Sequence, residues 1–126
     1  MEMTVNAASW FDIPVTDFER AKSFYNTIFD FDMPDIPMGP VQMGILLHEQ
    51  GKGVGGAIVH GAGRVPSATG TLVYLAGGRD LSTVLDRVTA AGGAVVQSKT
   101  LIAPGMGYFA IFTDTEGNSV GLHSVK

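Results

Sequence analysis

The stretch Trp10–Phe29, WFDIPVTDFERAKSFYNTIF, predicts a half-buried strand that runs directly into an amphipathic helix. Every second residue of the strand is apolar, which gives it one face to bury: Phe11, Ile13 and Val15. Thr16 and Glu19 have the spacing of a capping box, which predicts that the helix begins just after Thr16. The helix then carries an apolar stripe at three- and four-residue spacing: Phe18, Ala21, Phe24, Tyr25 and Ile28. One strand with its covering helix cannot bury a sheet alone, so we expect a second, similar unit.

The second unit follows residues 61–69, which have the composition of a linker. The remaining predicted strands are residues 31–33, 41–48, 53–60, 71–75, 94–99, 107–113 and 118–124. A second helix is expected to begin at Asp80 and to bury a stripe from Leu81 to Ala91. The final hairpins of the two halves match position for position, Gly51-Lys52-Gly53-Val54-Gly55 with Gly117-Asn118-Ser119-Val120-Gly121. This repeat predicts an α+β fold of two βαβββ modules, about residues 9–60 and 70–124, in a single domain over residues 1–126. Their mixed sheet is expected to curl around one cleft.

Length and composition limit the classes of protein that this chain can form. Its 126 residues, 45% of them hydrophobic, suffice for one domain with its own core. The absence of cysteine excludes disulfides and thiolate metal sites. Twelve acidic against eight basic residues give a net charge of −4, which disfavours nucleic acid as a partner. The first eight residues do not have the pattern of a signal peptide, and no apolar run reaches membrane-spanning length, so we expect a soluble, cytoplasmic protein with no membrane partner.

Three segments carry a family resemblance: IPVTDFERAKSFY (residues 13–25), GTLVYLA (70–76) and GYFAIFTDTEGNSVGL (107–122). They resemble the vicinal oxygen chelate superfamily, also called the glyoxalase, bleomycin resistance and extradiol dioxygenase superfamily, and within it the branch related to lactoylglutathione lyase. The resemblance extends over nearly the whole chain, from Ser9 to Ser124. It implies a βαβββ module in each half. In the enzymes of the family, four ligands on cleft-facing strands, typically His, Glu or Gln, hold a divalent metal that chelates two adjacent oxygen atoms of the substrate.

The resemblance places the four ligand positions on residues without strong donor atoms: Trp10, Gly55, Thr71 and Gly121. Indole and glycine offer no donor to a metal, and a threonine hydroxyl is a poor one. The resemblance therefore implies that this chain uses no metal and no cofactor. The alternative is a divalent metal on a non-standard set that includes Asp12 and His123, which would supply one carboxylate and one imidazole.

Several side chains on the expected cleft walls admit both a functional and a structural interpretation. Asp12 either anchors a ligand or acts as a general base, or it only pairs with a neighbouring donor. Trp10 either offers a flat surface to a ligand or fills the volume that a metal centre occupies in the enzymes. His123 either lines the cleft or has a structural role, whereas we expect His48 and His60 to be exposed or simply hydrogen-bonded.

The leading prediction is a protein that binds a small, partly apolar molecule in the cleft without a metal. The expected ligand-binding residues are Trp10, Asp12, Thr71, Val73, Tyr108, Gly121 and His123. One alternative is a lyase, isomerase or dioxygenase that uses the non-standard metal set, with Asp12 and His123 as the catalytic candidates. The other alternative is a structural dimer whose cleft is filled by side chains. Exposed sheet edges predict a homodimer in each case.

Overall fold

A computed structural model gives the fold of residues 1–126 and describes all of their side chains except that of Met38. The helices and strands follow in the order β1 (Trp10–Pro14), α1 (Phe18–Phe29), β2 (Asp35–Met38), β3 (Val41–Ile45), β4 (Gly55–His60), β5 (Tyr74–Ala76), α2 (Ser82–Leu85), β6 (Ala94–Ala103), β7 (Gly107–Thr113) and β8 (Ser119–Ser124). A strand, a helix and three strands thus occur twice, which confirms the predicted α+β fold of two similar modules. Over residues 1–126, neither helix combines the length and the apolar character that crossing a membrane requires.

Each module forms a four-stranded mixed sheet with the same strand order. The first sheet has the order β1-β4-β3-β2 and the second β5-β8-β7-β6. In each sheet the first strand of the module pairs in parallel with the last strand, and the other pairs are antiparallel. The register pairs Trp10 with Gly55 in the first module and Tyr74 with Gly121 in the second. These two pairs are therefore equivalent positions of the repeat.

One apolar core contains residues of both modules. The predicted stripe of α1 is buried in it throughout: Phe18, Ala21, Phe24, Tyr25 and Ile28. The ring of Phe24 lies edge to face with Tyr25, with centroids 5.0 Å apart, and its centroid is 5.8 Å from that of Phe112 in β7. Because Phe24 touches the second module as well as its own, Phe24→Ala would leave a shared cavity and cost about 3–5 kcal/mol of stability.

The start of α1 differs from the predicted capping box. The N-cap is Asp17, whose carboxylate accepts a hydrogen bond from the backbone N–H of Arg20 at 3.1 Å. The backbone N–H groups of Thr16 and Asp17 donate to Glu116 Oε1 at 3.0 and 2.7 Å. A carboxylate from the turn before β8 therefore takes the role that the capping box assigns to Glu19. The prediction is wrong because local spacing cannot reveal a partner 100 positions away.

The segment after β5 contains a shorter helix than the sequence predicts. Only Ser82–Leu85 are α-helical, although the apolar stripe is buried as far as Val88. Beyond this helix the backbone changes to three-residue spacing, and the N–H of Val88 donates to the carbonyl oxygen of Leu85 at 3.1 Å. The β-branched pair Val88 and Thr89 disfavours a continued α-helix. The N-cap is Leu81 and not the predicted Asp80, although Asp80 Oδ1 accepts a hydrogen bond from the N–H of Ser82 at 2.9 Å.

The second strand lies farther along the chain than its predicted position. The sequence pattern predicts a strand at residues 31–33, but β2 spans Asp35–Met38 and includes Pro37. β2 is the outer strand of its sheet, where a residue without an N–H leaves no partner unsatisfied. Met33 is buried instead, with its sulfur atom in the space that a side chain at Gly44 would need.

Candidate ligand site

A cavity of about 340 Å³ lies on the second sheet. Each of the four strands contributes one wall residue: Tyr74, Ile102, Phe109 and His123. In β7, Ala110 and Phe112 are fully buried in the core, so the alternation of the strand puts Phe109 on the opposite face. In β8 the buried Leu122 does the same for its neighbour His123. The cavity thus occupies the face of the sheet that the core leaves open.

Tyr74 forms a flat wall of this cavity because its register partner is a glycine. A Cβ atom at Gly121 would collide with the Tyr74 ring, so only glycine allows the ring to lie across β8. The ring is 48% exposed, and its centroid is 6.4 Å from that of Phe109 in an edge-to-face arrangement. Two aromatic rings at this angle present both a face and an edge to a bound molecule.

His123 brings an imidazole to the cavity, in addition to the phenolic hydroxyl of Tyr74, and its hydrogen bond fixes the tautomer of its neutral form. Its Nε2 lies 3.0 Å from the carbonyl oxygen of Met106. A carbonyl oxygen can only accept, so Nε2 must carry the proton, and Nδ1 is then the acceptor of the neutral imidazole. The site therefore combines apolar walls with a nitrogen that can accept a hydrogen bond from a ligand hydroxyl or N–H.

Trp10 and Asp12 lie on the first sheet, in a bonded group with a residue that the sequence patterns did not single out. The indole Nε1 of Trp10 donates to Asp12 Oδ1 at 3.0 Å, and Arg64 Nη1 donates to Asp12 Oδ2 at 2.8 Å. Both carboxylate oxygens thus have partners, which favours the structural interpretation of Asp12 over that of a free general base. Trp10 is 42% exposed, so it does not fill a closed core. Arg64 belongs to the predicted linker, where composition gives no sign of a partner.

The other predicted ligand-binding residues lie away from the cavity on the second sheet. Thr71 and Val73 line a smaller cavity of about 100 Å³ together with Asp12, where β1 approaches the segment before β5. Tyr108 lies on the core side of β7, and the ammonium group of Lys99 is 4.6 Å from its ring centroid. The alternation of β7 therefore places Phe109, and not the predicted Tyr108, on the wall of the cavity.

The register also changes the set of positions that correspond to metal ligands. Because Tyr74 pairs with Gly121 as Trp10 pairs with Gly55, the third position falls on Tyr74 and not on Thr71. Indole and glycine supply no ligand atom, and one phenol does not make a site. Among residues 1–126, with the Met38 side chain set aside, no three His, Cys, Asp or Glu side chains lie together in a way that could hold a metal ion. The residues present do not fit the divalent metal of the enzymes.

The remaining histidines bond to the backbone. His60 Nδ1 lies 3.1 Å from the carbonyl oxygen of Val15, and His48 Nδ1 lies 3.2 Å from that of Leu46. Each of these nitrogens must donate, because its partner can only accept. Neither imidazole lines the cavity that Tyr74 forms with Ile102, Phe109 and His123.

A family model described as Glyoxalase/Bleomycin resistance protein/Dioxygenase superfamily matches residues 7–122. None of the curated proteins matches the chain. Among solved structures, TnmS3, described as an antibiotic binding protein from Streptomyces sp. CB03234, is 25% identical with a TM-score of 0.66, and the match covers 99% of this chain and 100% of that one.

Two further structures have the same fold. A glyoxalase/bleomycin resistance protein from Streptomyces sp. CB03234 is 26% identical with a TM-score of 0.66, and the match covers 94% of this chain and 100% of that one. The hypothetical protein SA1046 from S. aureus is 21% identical with a TM-score of 0.66, over 96% of this chain and 95% of that one. The last similarity concerns the fold alone.

Proposed function

Since the chain belongs to the Glyoxalase/Bleomycin resistance protein/Dioxygenase superfamily, we propose that it binds a small, partly apolar molecule, without a metal ion, in the cavity beside Tyr74. The observation that carries the proposal is the combination of two aromatic rings and one imidazole around about 340 Å³ of space. That volume lies in the range of small-molecule sites, which are mostly apolar with few polar groups. The description of TnmS3 as an antibiotic binding protein supports a ligand of the same kind.

The chemistry of the walls narrows the class of ligand. Tyr74 and Phe109 favour a flat, conjugated or aromatic molecule, because stacking and edge contacts gain most from such a shape. His123 Nδ1 favours a hydroxyl or N–H donor at one edge of that molecule. A planar antibiotic with a phenolic hydroxyl has both features.

The alternatives have less support from the same residues. A metal-dependent lyase, isomerase or dioxygenase would need Asp12 as a ligand, but both oxygens of Asp12 are already bonded to Trp10 and Arg64. A purely structural dimer, whose cleft would be filled by side chains, does not account for the open cavity beside Tyr74. A homodimer is compatible with the binding function: the outer strands β5 and β6 supply Tyr74 and Ile102 to the cavity, but pairing at a sheet edge uses backbone groups and not the face of the sheet.

The proposal is tested by thermal shift and calorimetry with a panel of antibiotics that includes bleomycin and planar phenolic compounds, in the presence of EDTA. At least one compound is expected to bind, and Tyr74→Ala is expected to weaken it about tenfold while the melting temperature without ligand changes little, because the ring is half exposed. Val95→Ala is the matched control, an exposed apolar residue of the same sheet that lies outside the cavity. Equal losses in both variants, or binding that EDTA abolishes, would contradict the proposal.

A further inference from the structure

A second cavity, of about 310 Å³, lies where the two modules meet. Side chains of both modules form its walls: Phe11, Phe29, Leu46, His48, Val73 and Leu75. Phe109 and His123 are not among these walls, and Tyr74 borders both cavities. The phenylalanine at the end of α1 and the one in β1 belong to the margin of the core, so this cavity is an apolar opening between the modules.

His48 is placed at this cavity by a glycine and by one hydrogen bond. A Cβ atom at Gly55 would lie 2.6 Å from Cε1 of His48, so the ring occupies the space that any other residue would fill. Since Nδ1 of His48 donates to the carbonyl oxygen of Leu46 at 3.2 Å, Nε2 is the acceptor of the neutral ring. The neighbouring glycine is covered in the same way: the ring of Phe11 lies over Gly56.

We infer that this cavity is a second ligand site, for a neutral molecule with an apolar body and one hydroxyl or N–H group directed at Nε2 of His48. The apolar walls favour the body of such a molecule by the area that they remove from water. The titratable side chains on the walls are His48 and Tyr74, so a strongly charged ligand would find no opposite charge. The site goes beyond the proposed function, which uses the cavity around Phe109 and His123.

The probe is p-cresol, an apolar ring with a single hydroxyl donor. Its titration is followed by NMR spectra that correlate the imidazole nitrogens with their ring protons, so that each histidine reports separately. The signals of His48 are expected to shift with saturation, and those of His60 are expected to stay. His48→Phe keeps a ring over Gly55 and removes the acceptor, and calorimetry, which does not depend on the lost imidazole signals, should show p-cresol bound about fivefold more weakly, the effect of one lost neutral hydrogen bond. His123→Phe is the matched control and should leave the shifts of His48 unchanged.

A second variant makes the test independent of the imidazole. Ala8 is exposed ahead of β1 and lines this cavity, so Ala8→Phe should fill the opening and abolish the shifts of His48 without loss of folding. Shifts confined to His123 would support the proposed function and overturn the second site. Absence of any shift at millimolar p-cresol, or His48 shifts that persist in Ala8→Phe, would also overturn it.

Discussion

Glu116→Ala is expected to loosen the connection between the two modules. The side chain of Glu116 is completely buried and reaches from the turn before β8 to the start of α1. Its carboxylate accepts hydrogen bonds from the backbone N–H groups of Thr16 and Asp17 and from Nε and Nη2 of Arg20, at 2.7 and 3.1 Å. The carboxylate thus also stands at the positive end of the helix dipole. A fifth hydrogen bond comes from the hydroxyl of the neighbouring Thr115 at 2.8 Å, and the change removes all five at once.

The size of the expected loss of stability follows from the pKa of the Glu116 carboxyl group. Burial alone would raise the pKa of Glu116, but hydrogen bonds from Arg20, from the backbone of Asp17, from the Thr115 hydroxyl and from the backbone of Thr16 lower it from 4.5 to about 2. Without any allowance for screening by solvent, such a shift corresponds to roughly 3 kcal/mol of folding free energy. Arg20 is half exposed, and water can solvate the groups left behind, so we expect Glu116→Ala to cost about 2 kcal/mol at pH 7.

The sign of the pH dependence is fixed by the direction of the shift. The folded protein holds the ionised form of Glu116 more tightly than the unfolded chain does, so the stabilisation is complete above pH 4.5 and is lost as the pH falls towards 2. The difference in stability between the parent and Glu116→Ala should therefore shrink over that interval. Urea denaturation followed by circular dichroism, at pH values from 7 to 3, measures it.

Asp80→Asn is the matched control for this experiment. Asp80 also accepts a hydrogen bond at the start of a helical segment and pairs with a lysine, and the hydrogen bonds from the backbone of Ser82 and from Lys99 lower its pKa to about 2. Its side chain is 47% exposed, so solvent screens the pair and the loss of stability should be smaller than for Glu116→Ala. A cost below about 0.5 kcal/mol for Glu116→Ala, or an equal cost for both variants, would refute the reasoning.

Four further outcomes are expected. Trp10→Ala should cost about 1 kcal/mol in urea denaturation, because the indole is 42% exposed, and a loss above about 3 kcal/mol would mean that it belongs to the core. Protein purified without an affinity tag should contain no stoichiometric nickel, zinc, manganese or iron by elemental analysis; metal that disappears in His123→Ala would reverse this expectation. Gly121→Ala should fold normally but bind the ligand at least tenfold more weakly by calorimetry, since the new methyl group displaces the Tyr74 ring, and unchanged affinity would contradict that role. Light scattering at micromolar concentration should give a dimer, because β6 is an outer strand that exposes apolar side chains such as Val96, and a monomer would count against this pairing.

The repeat and the faces of its first strand could be predicted because both depend on local periodicity. The matched glycine hairpins predicted the equivalence that the pairs of Gly55 and Gly121 now confirm. The position equivalent to Trp10 was harder to assign, since the residues that cap the two helices differ. The N-caps are Asp17 and Leu81, and Trp10 and Tyr74 each precede theirs by the same interval. Leu81 makes no side-chain cap bond, and the signal in the sequence is Asp80, one residue earlier, so counting back from it misses Tyr74 by one position.

The long-range contacts, and the face of β7 that lines the cavity, escaped prediction for a different reason. Arg64 and Glu116 act on residues far from them in sequence, and periodicity contains no information about such partners. The choice between Tyr108 and Phe109 depends on which face of β7 packs against the core. That face is set by tertiary packing of the neighbouring Ala110, in a strand that is apolar on both faces.

Gly55 and Gly121 occupy equivalent register positions, and they explain both the absence of metal-ligating side chains there and the presence of a ring beside each cavity. A glycine has no donor atom for a metal, and it also leaves a space on its strand that a neighbouring ring can enter. Tyr74 enters that space at Gly121, and His48 enters it at Gly55. Both rings then border a cavity. The same two positions thus lack a donor atom for a metal and leave room for aromatic walls, and this combination is the physical basis of the proposal that the chain binds a partly apolar molecule without a metal.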